Sequence, residues 1–241
     1  MNSKRRKISS NQIDPCVSNR SSLIEKRTII DCRNENSIQP EFRLTNYSVT
    51  HNPLIFLLMQ NFMKRVSGIM TRFEPWKLKG MDAGCGEGHL TKYLVERGVV
   101  RDITGVDSNL DHLSFAQRYH PVCPYVKADL CCLPFGGQTF DYVICTEVLE
   151  HIPNPELVLL EWHRVLRKEG HLVISVPHEP FFHWGNRLRG QYPETDGWTP
   201  DHVNRWYRKD FFRLLHRYAV IHVQWSWSTF PWLIAHATLR S

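Results

Sequence analysis

From Leu78 onward the chain alternates short apolar runs with longer amphipathic stretches, the pattern of βαβ units around a parallel sheet. The runs predict strands near Gly80–Ala83, Ile103–Asp107, Tyr125–Lys127, Tyr142–Cys145 and His171–Val176. The amphipathic stretches predict helices over His89–Arg97, Leu110–Tyr119 and Glu156–Arg167, with Gly170 expected as the glycine that ends the last of these. After residue 205 the pattern changes. Arg208–Arg217 reads as a helix, and Ala219–Ser228 and Trp232–Leu239 as two strands that a turn around Pro231 would join as an antiparallel pair. Trp225 and Trp227 alternate with small polar residues, which favours a half-buried strand over a ligand cage. Upstream, Leu54, Leu57, Leu58, Phe62, Val66 and Ile69 recur at helical spacing between Asn52 and Met70, with Pro53 where a first turn tolerates it. This helix is expected to pack over the ligand-binding edge of the sheet.

Residues 1–44 carry no sustained apolar period and are expected to form a disordered tail, leaving 45–241 as one domain. The tail holds a basic run, Lys4, Arg5, Arg6 and Lys7, which fits a solvated terminus, a nuclear import signal or a nucleic-acid arm. It also supplies much of the formal charge of +6. Apolar residues make up 42% of the 241, enough for a sizeable core, yet no run is long enough to cross a bilayer. The N-terminus lacks the apolar stretch of a secretory signal, and the seven cysteines show no spaced pairs of the zinc-site kind. A cytoplasmic protein with reduced thiols is the expectation.

The strongest local signal is Met81-Asp82-Ala83-Gly84-Cys85-Gly86-Glu87-Gly88, placed between a predicted strand and a predicted helix. Glycines there let backbone amides approach a ligand, with a helix N-terminus behind them. The spacing is G-x-G-x-G and lacks the last glycine of the dinucleotide fingerprint, which counts against a nicotinamide oxidoreductase. The second strand ends at Asp107, where a carboxylate can accept from ribose hydroxyls, and the third at Ala128-Asp129-Leu130. Ligands of open α/β sheets bind outside the carboxyl ends of the strands, so these turns converge on one site.

The stretch Asp82–Gly88 resembles motif I of class I S-adenosylmethionine-dependent methyltransferases. Phe140–Cys145 with Glu147-Val148-Leu149-Glu150-His151 resembles their fourth-strand region, and Leu166–Leu172 the segment leading into strand five, with Glu169 where the family often has glycine. The chain is similar to the type 11 and ubiquinone-pathway O-methyltransferase group. The resemblance implies a Rossmann-like α/β fold: a seven-stranded, mostly parallel sheet with helices on both faces and an antiparallel C-terminal strand pair. It also implies that S-adenosylmethionine is the cofactor. Gly84, Gly86 and Gly88 would shape its methionine and ribose pocket, and Asp82 would orient its amino group or the loop. Asp107 would take the ribose, Asp129 and Leu130 the adenine, and Glu147 would lie next to the methyl donor.

Methyl transfer to oxygen also requires a proton to leave the acceptor, through a base or a metal that lowers the hydroxyl pKa. Glu147, Glu150 and His151 stand at i, i+3 and i+4, so one helical turn would point all three the same way. His151 and Glu147 are the catalytic candidates; a structural role for His151 within a loop is the plainer alternative. By resemblance to metal-dependent O-methyltransferases of the ubiquinone pathway and of small-RNA 3′ ends, Glu147, Glu150, His151 and the later His202 would bind a divalent ion. The segment near 178–205 is the expected lid or acceptor site, its Phe181, Phe182 and Trp184 beside Arg187 and Arg189. Such a surface fits an aromatic or lipid-like small molecule or peripheral contact with a membrane, with nucleic acid as second choice. A domain that binds the cofactor without catalysis is the remaining alternative.

Overall fold

The computed structural model describes residues 53–225 and 231–240. The basic run, the rest of the tail and Trp227 lie outside them, as does the side chain of Trp225. The chain enters through helix α1 (Pro53–Met70) and two short 3-10 turns. It then alternates β1 (Lys79–Ala83), α2 (His89–Glu96), β2 (Asp102–Asp107), α3 (Leu110–Tyr119), β3 (Tyr125–Lys127), β4 (Phe140–Thr146), α4 (Pro155–Val165) and β5 (Leu166–Pro177). The last part holds α5 (Glu179–Leu188), α6 (Arg208–Tyr218), β6 (Ala219–Trp225) and β7 (Trp232–Leu239). The sheet order is β3-β2-β1-β4-β5-β7-β6, with β7 antiparallel to both neighbours and the other pairings parallel. This is the Rossmann-like seven-stranded sheet with an antiparallel C-terminal pair.

The two-residue period of the strands sorts the core onto both faces, as a sheet covered on each side requires. Val143 and Cys145 of β4, with Leu172, Ile174 and Val176 of β5, join the layer built on Trp162 of α4 and Phe211 of α6. Tyr142, Ile144 and Val173 point the other way, against Val66, Ile69 and Met70 of α1 and Leu94 of α2. Helix α1 reaches the far end of β5 through Phe62, whose ring lies 4.8 Å from Trp232, the partner of Pro177 in the sheet.

Two local expectations need correction. The fourth helix stops at Val165, and Gly170 belongs to β5 instead of ending a helix. Residues 167–170 bulge out where the pairing jumps from Phe140↔Leu166 to Tyr142↔His171, and the left-handed residue is Glu169, at φ 61°. Gly170 is needed for closeness: a Cβ there would stand 2.9 Å from the Arg167 carbonyl and 3.1 Å from that of Asp141. The segment after β5 also proved partly helical. Pro180, one residue after Glu179, fits a first helical turn, so α5 could have been read from the sequence.

Candidate active site

The carboxyl ends of the parallel strands carry Gly84–Gly88, Asp107, Asp129 and Glu147 on one edge of the sheet. After β1 the chain turns sharply: the amides of Gly84 and Cys85 both donate to the Val106 carbonyl, at 2.7 and 3.0 Å. Gly84, Gly86 and Gly88 have φ of 78°, 52° and 78°, the left-handed region open mainly to glycine. Their surroundings differ. A Cβ on Gly84 would strike Val148 at 2.3 Å and one on Gly88 would strike the Tyr125 hydroxyl at 2.7 Å, whereas one on Gly86 would meet nothing within 4 Å. Gly86 therefore forms the open part of the cradle.

Two carboxylates hold the loop from below. Asp82 is buried and accepts from the Thr91 hydroxyl of α2, tying strand to helix. Burial pushes its carboxyl up to about 6, although the Thr91 bond works the other way. Asp107 accepts from the Gly86 amide at 2.9 Å through one oxygen and from the Asn109 amide at 2.8 Å through the other. Each oxygen keeps a lone pair for a further donor. Asp129 is exposed and accepts from the Cys131 amide, while Leu130 beside it is buried. Glu87, not singled out in the sequence, is also buried; its carboxylate lies 3.0 Å from His89 Nε2.

Across the edge, residues 147–151 form a bend and a tight turn in place of the expected helical turn. Glu147 takes φ 57°, and its carboxylate is bound elsewhere. It accepts from the Ser175 hydroxyl at 3.2 Å and from the Trp232 indole N–H at 2.8 Å. Burial raises its carboxyl to about 8 against the pull of those two donors. Glu150, His151 and His202 instead come together, with one potential ligand atom from each within 4.8 Å of the others. Glu147 is not part of that group.

Glu150 is buried, and its Oε2 has no hydrogen-bond partner. Desolvation, then the charge of Glu147, holds its carboxyl well above the usual carboxylate range. His151 Nδ1 lies 3.0 Å from the Asp201 carbonyl oxygen, and its ring stands 5.0 Å from that of His202 at a steep angle. His202 Nδ1 is 2.6 Å from Glu179 Oε1, a buried carboxylate at the start of α5. Asn204 secures the turn: its amide donates to the Glu150 carbonyl at 2.9 Å and its side chain donates to the carbonyls of Leu149 and Ile152. Glu179, Asn204 and Trp232 went unnoticed among the candidate residues. Each acts over 23 or more positions, beyond the reach of local spacing.

Residues 81–174 match the model of a methyltransferase domain family. The ubiquinone biosynthesis O-methyltransferase of Photobacterium profundum is 33% identical over 103 residues, 40% of this chain and 43% of that protein. Its counterpart from Pseudomonas aeruginosa is 33% identical over 104 residues, with the same shares covered. The chain thus spans less than half the length of these curated relatives. The solved S-adenosylmethionine-dependent methyltransferase from Mesorhizobium loti superposes with a TM-score of 0.59 at 19% identity, covering 76% of this chain and all of that one, 100%. A protein from Pyrococcus horikoshii reaches 0.62 at 17% identity, over 85% of this chain and 100% of its own. At these identities the structural matches speak to the fold. No helix among the described residues is long and apolar enough to cross a membrane. With the family match over residues 81–174, the sheet order and the open glycine cradle, this part of the chain is a class I methyltransferase domain, of the kind that uses S-adenosylmethionine.

Proposed function

We propose that the chain transfers a methyl group from S-adenosylmethionine to an oxygen of a small-molecule acceptor. One observation carries the choice of oxygen: Glu150, His151 and His202 gather at the strand-end edge, and the buried Oε2 of Glu150 has no hydrogen-bond partner. The donor, when bound, supplies a methyl that its sulfonium already makes electrophilic. The protein then has to align the acceptor, exclude water and remove its proton.

The cofactor fits the residues present. Gly86 leaves open space, and Asp107 retains lone pairs for ribose hydroxyls after holding the loop amide. Asp129 and Leu130 would flank the adenine, and Gly84 and Gly88 keep the loop in shape. Asp82 acts through Thr91 on that loop, and Glu147 borders the site of the methyl group.

A divalent ion also fits. Glu150, His151 and His202 would hold it, and it would lower the pKa of an acceptor hydroxyl bound to it. Two imidazoles with one carboxylate suit Mn²⁺, Fe²⁺, Zn²⁺ or Mg²⁺. Glu147, committed to Trp232 and Ser175, is left out of the ligand set. Without an ion, His151 is the base.

The acceptor is read as a small aromatic or lipid-like molecule. Helix α5 exposes Trp184 (66%) and Leu188 (85%) one turn apart, an apolar surface that suits such a molecule or a membrane delivering it. The reading of an RNA acceptor rests on the formal charge of +6, the basic run in the tail and the match at His202. Among the described residues a basic groove is lined by Lys64 and Arg65 of α1 and by Arg72 just after it. Arg72 adjoins Phe73, which stacks on His171 in the middle of β5, short of the donor edge where that strand ends. The small acceptor is therefore preferred.

Calorimetric titration with S-adenosylhomocysteine tests the core of this proposal. Wild type is expected to bind in the micromolar range and Asp107→Ala roughly 10- to 100-fold more weakly, the cost of a lost charged hydrogen bond. No binding to folded wild type overturns the methyltransferase reading. Methyl transfer to hydroxylated aromatics with and without chelator then separates ion from base: loss on chelation supports the ion, and unchanged turnover supports His151. Salt-sensitive RNA binding with RNA methylation would favour the second reading.

A further inference from the structure

A neutral imidazole offers a lone pair from one nitrogen only while the other carries the proton, so the partner of the outer nitrogen decides what the inner one can do. For His151 that partner is the Asp201 carbonyl, which can only accept; Nδ1 is the donor and Nε2 is left for the centre. For His202 it is Glu179. The Oε1 of Glu179 lies 2.6 Å from His202 Nδ1, with the carboxylate 1% and the imidazole 11% exposed. A buried carboxylate seldom lacks a reason, because removing it from water is costly.

The placement of Glu179 supplies one. It opens α5, where the helix N-terminus favours a negative charge. Its own amide donates to the Trp206 carbonyl at 3.1 Å, so the first turn of α5 grips the His202 segment on both sides of Asn204. Further along α5, the Asn186 side chain donates to the Gly197 carbonyl at 3.1 Å and to the Thr199 hydroxyl at 3.3 Å. The segment expected to cover the acceptor is thus fastened to the loop that carries His202.

We infer that Glu179 is a positioning residue. Its carboxylate accepts the Nδ1 proton of His202 and fixes the ring with Nε2 turned toward Glu150 and His151, so the 178–205 segment sets the geometry of the centre. The inference builds on the proposed Glu150, His151 and His202 centre, and none of its geometry involves the methyl donor. Outer partners of this kind fix the tautomer and ring orientation of ligating histidines.

The test uses the full chain and long-range ¹H–¹⁵N correlation spectra of its imidazoles, assigned with His202→Gln and recorded well above the ordinary imidazole pKa. Wild-type His202 is expected as the Nδ1–H tautomer. Glu179→Gln, whose amide oxygen still accepts, should keep it; Glu179→Leu, similar in volume but unable to accept, should shift it toward Nε2–H. Titration with Co²⁺, followed by its visible absorption, should show affinity lowered roughly 10- to 100-fold in the leucine variant and largely rescued by glutamine. An Nε2–H tautomer in wild type overturns the inference, as does a leucine variant with unchanged tautomer and Co²⁺ affinity. If the leucine variant does not fold, the wild-type and glutamine spectra decide. Wild type that keeps the Nδ1–H tautomer but binds no Co²⁺ supports the positioning role and counts against the ion. Failure to bind S-adenosylhomocysteine would sink the methyltransferase reading without moving the tautomer result.

Discussion

Trp232 donates its indole N–H to Glu147 across 2.8 Å, joining the first residue of β7 to the turn that follows β4, 85 positions earlier. The indole is itself wedged between Phe62 of α1 and Phe182 of α5, at ring distances of 4.8 and 5.7 Å. Both helices that border the donor edge therefore press on the group that holds Glu147. Trp232→Phe should keep the aromatic packing and remove the donor, lowering stability by about 1 kcal/mol. In a double-mutant cycle with Glu147→Leu, which cannot accept, followed by urea unfolding, the coupling should be on the order of 0.5–1.5 kcal/mol. Strictly additive variants would show that the bond contributes nothing to stability.

The glycine loop makes a sharper division. Gly84→Ala places a Cβ 2.3 Å from Val148 in a left-handed backbone, so it should destabilise the fold, by roughly 1–3 kcal/mol for overpacking alone. Adding Val148→Ala should restore part of that loss. Gly86→Ala faces open space and should cost only about 1 kcal/mol of conformational strain. Its methyl nevertheless occupies the cradle, so S-adenosylhomocysteine affinity should fall far more than stability. Thermal melts beside calorimetry check both; a Gly86→Ala protein that binds normally would place the cofactor elsewhere.

Asn204 offers a test of the turn itself. Its side chain satisfies the carbonyls of Leu149 and Ile152, which flank Glu150 and His151. Asn204→Leu should strand those acceptors and destabilise the protein by about 1–3 kcal/mol. Loosening of the turn should also show as faster amide exchange at His151 and Ile152, whose amides close it onto Val148 and Leu149. Unchanged exchange at both would mean the turn is held by its own backbone bonds.

These three tests also mark where the sequence was legible. The glycine loop, Asp107 and the strand ends could be read because local period and turn chemistry set them, whereas right-handed crossovers only narrow the possible strand orders to a few. The 147–151 turn was only half legible. The spacing i, i+3, i+4 suits a helical turn and a tight turn alike, and only the left-handed Glu147 tells them apart. Glu179, Asn204 and Trp232 meet the turn through pairings fixed by the packing of α5, the 201–206 segment and β7. Nothing in their own neighbourhoods announces a partner that far away.

Asp82 gives the domain a pH dependence whose sign can be worked out. Burial raises its carboxyl from an ordinary 3.8 to about 6 in the folded protein, and no comparable burial acts in the unfolded chain. Between those values the folded state holds the extra proton, so the contribution of Asp82 is fully present below about pH 4 and is lost as pH rises through 6. A rise of that size corresponds to roughly 2–3 kcal/mol of pH-dependent stability. Asp82→Asn keeps an acceptor for the Thr91 hydroxyl and removes the titration. Its stability relative to wild type, from urea unfolding at intervals between pH 4 and 7.5, should therefore improve by about that amount as pH rises, with most of the change between the unfolded and folded pKa values, from about 4 to about 6. A difference that stays flat across the range would mean that Asp82 remains solvated enough to ionise normally, and that the β1–α2 junction is more open than its contacts indicate.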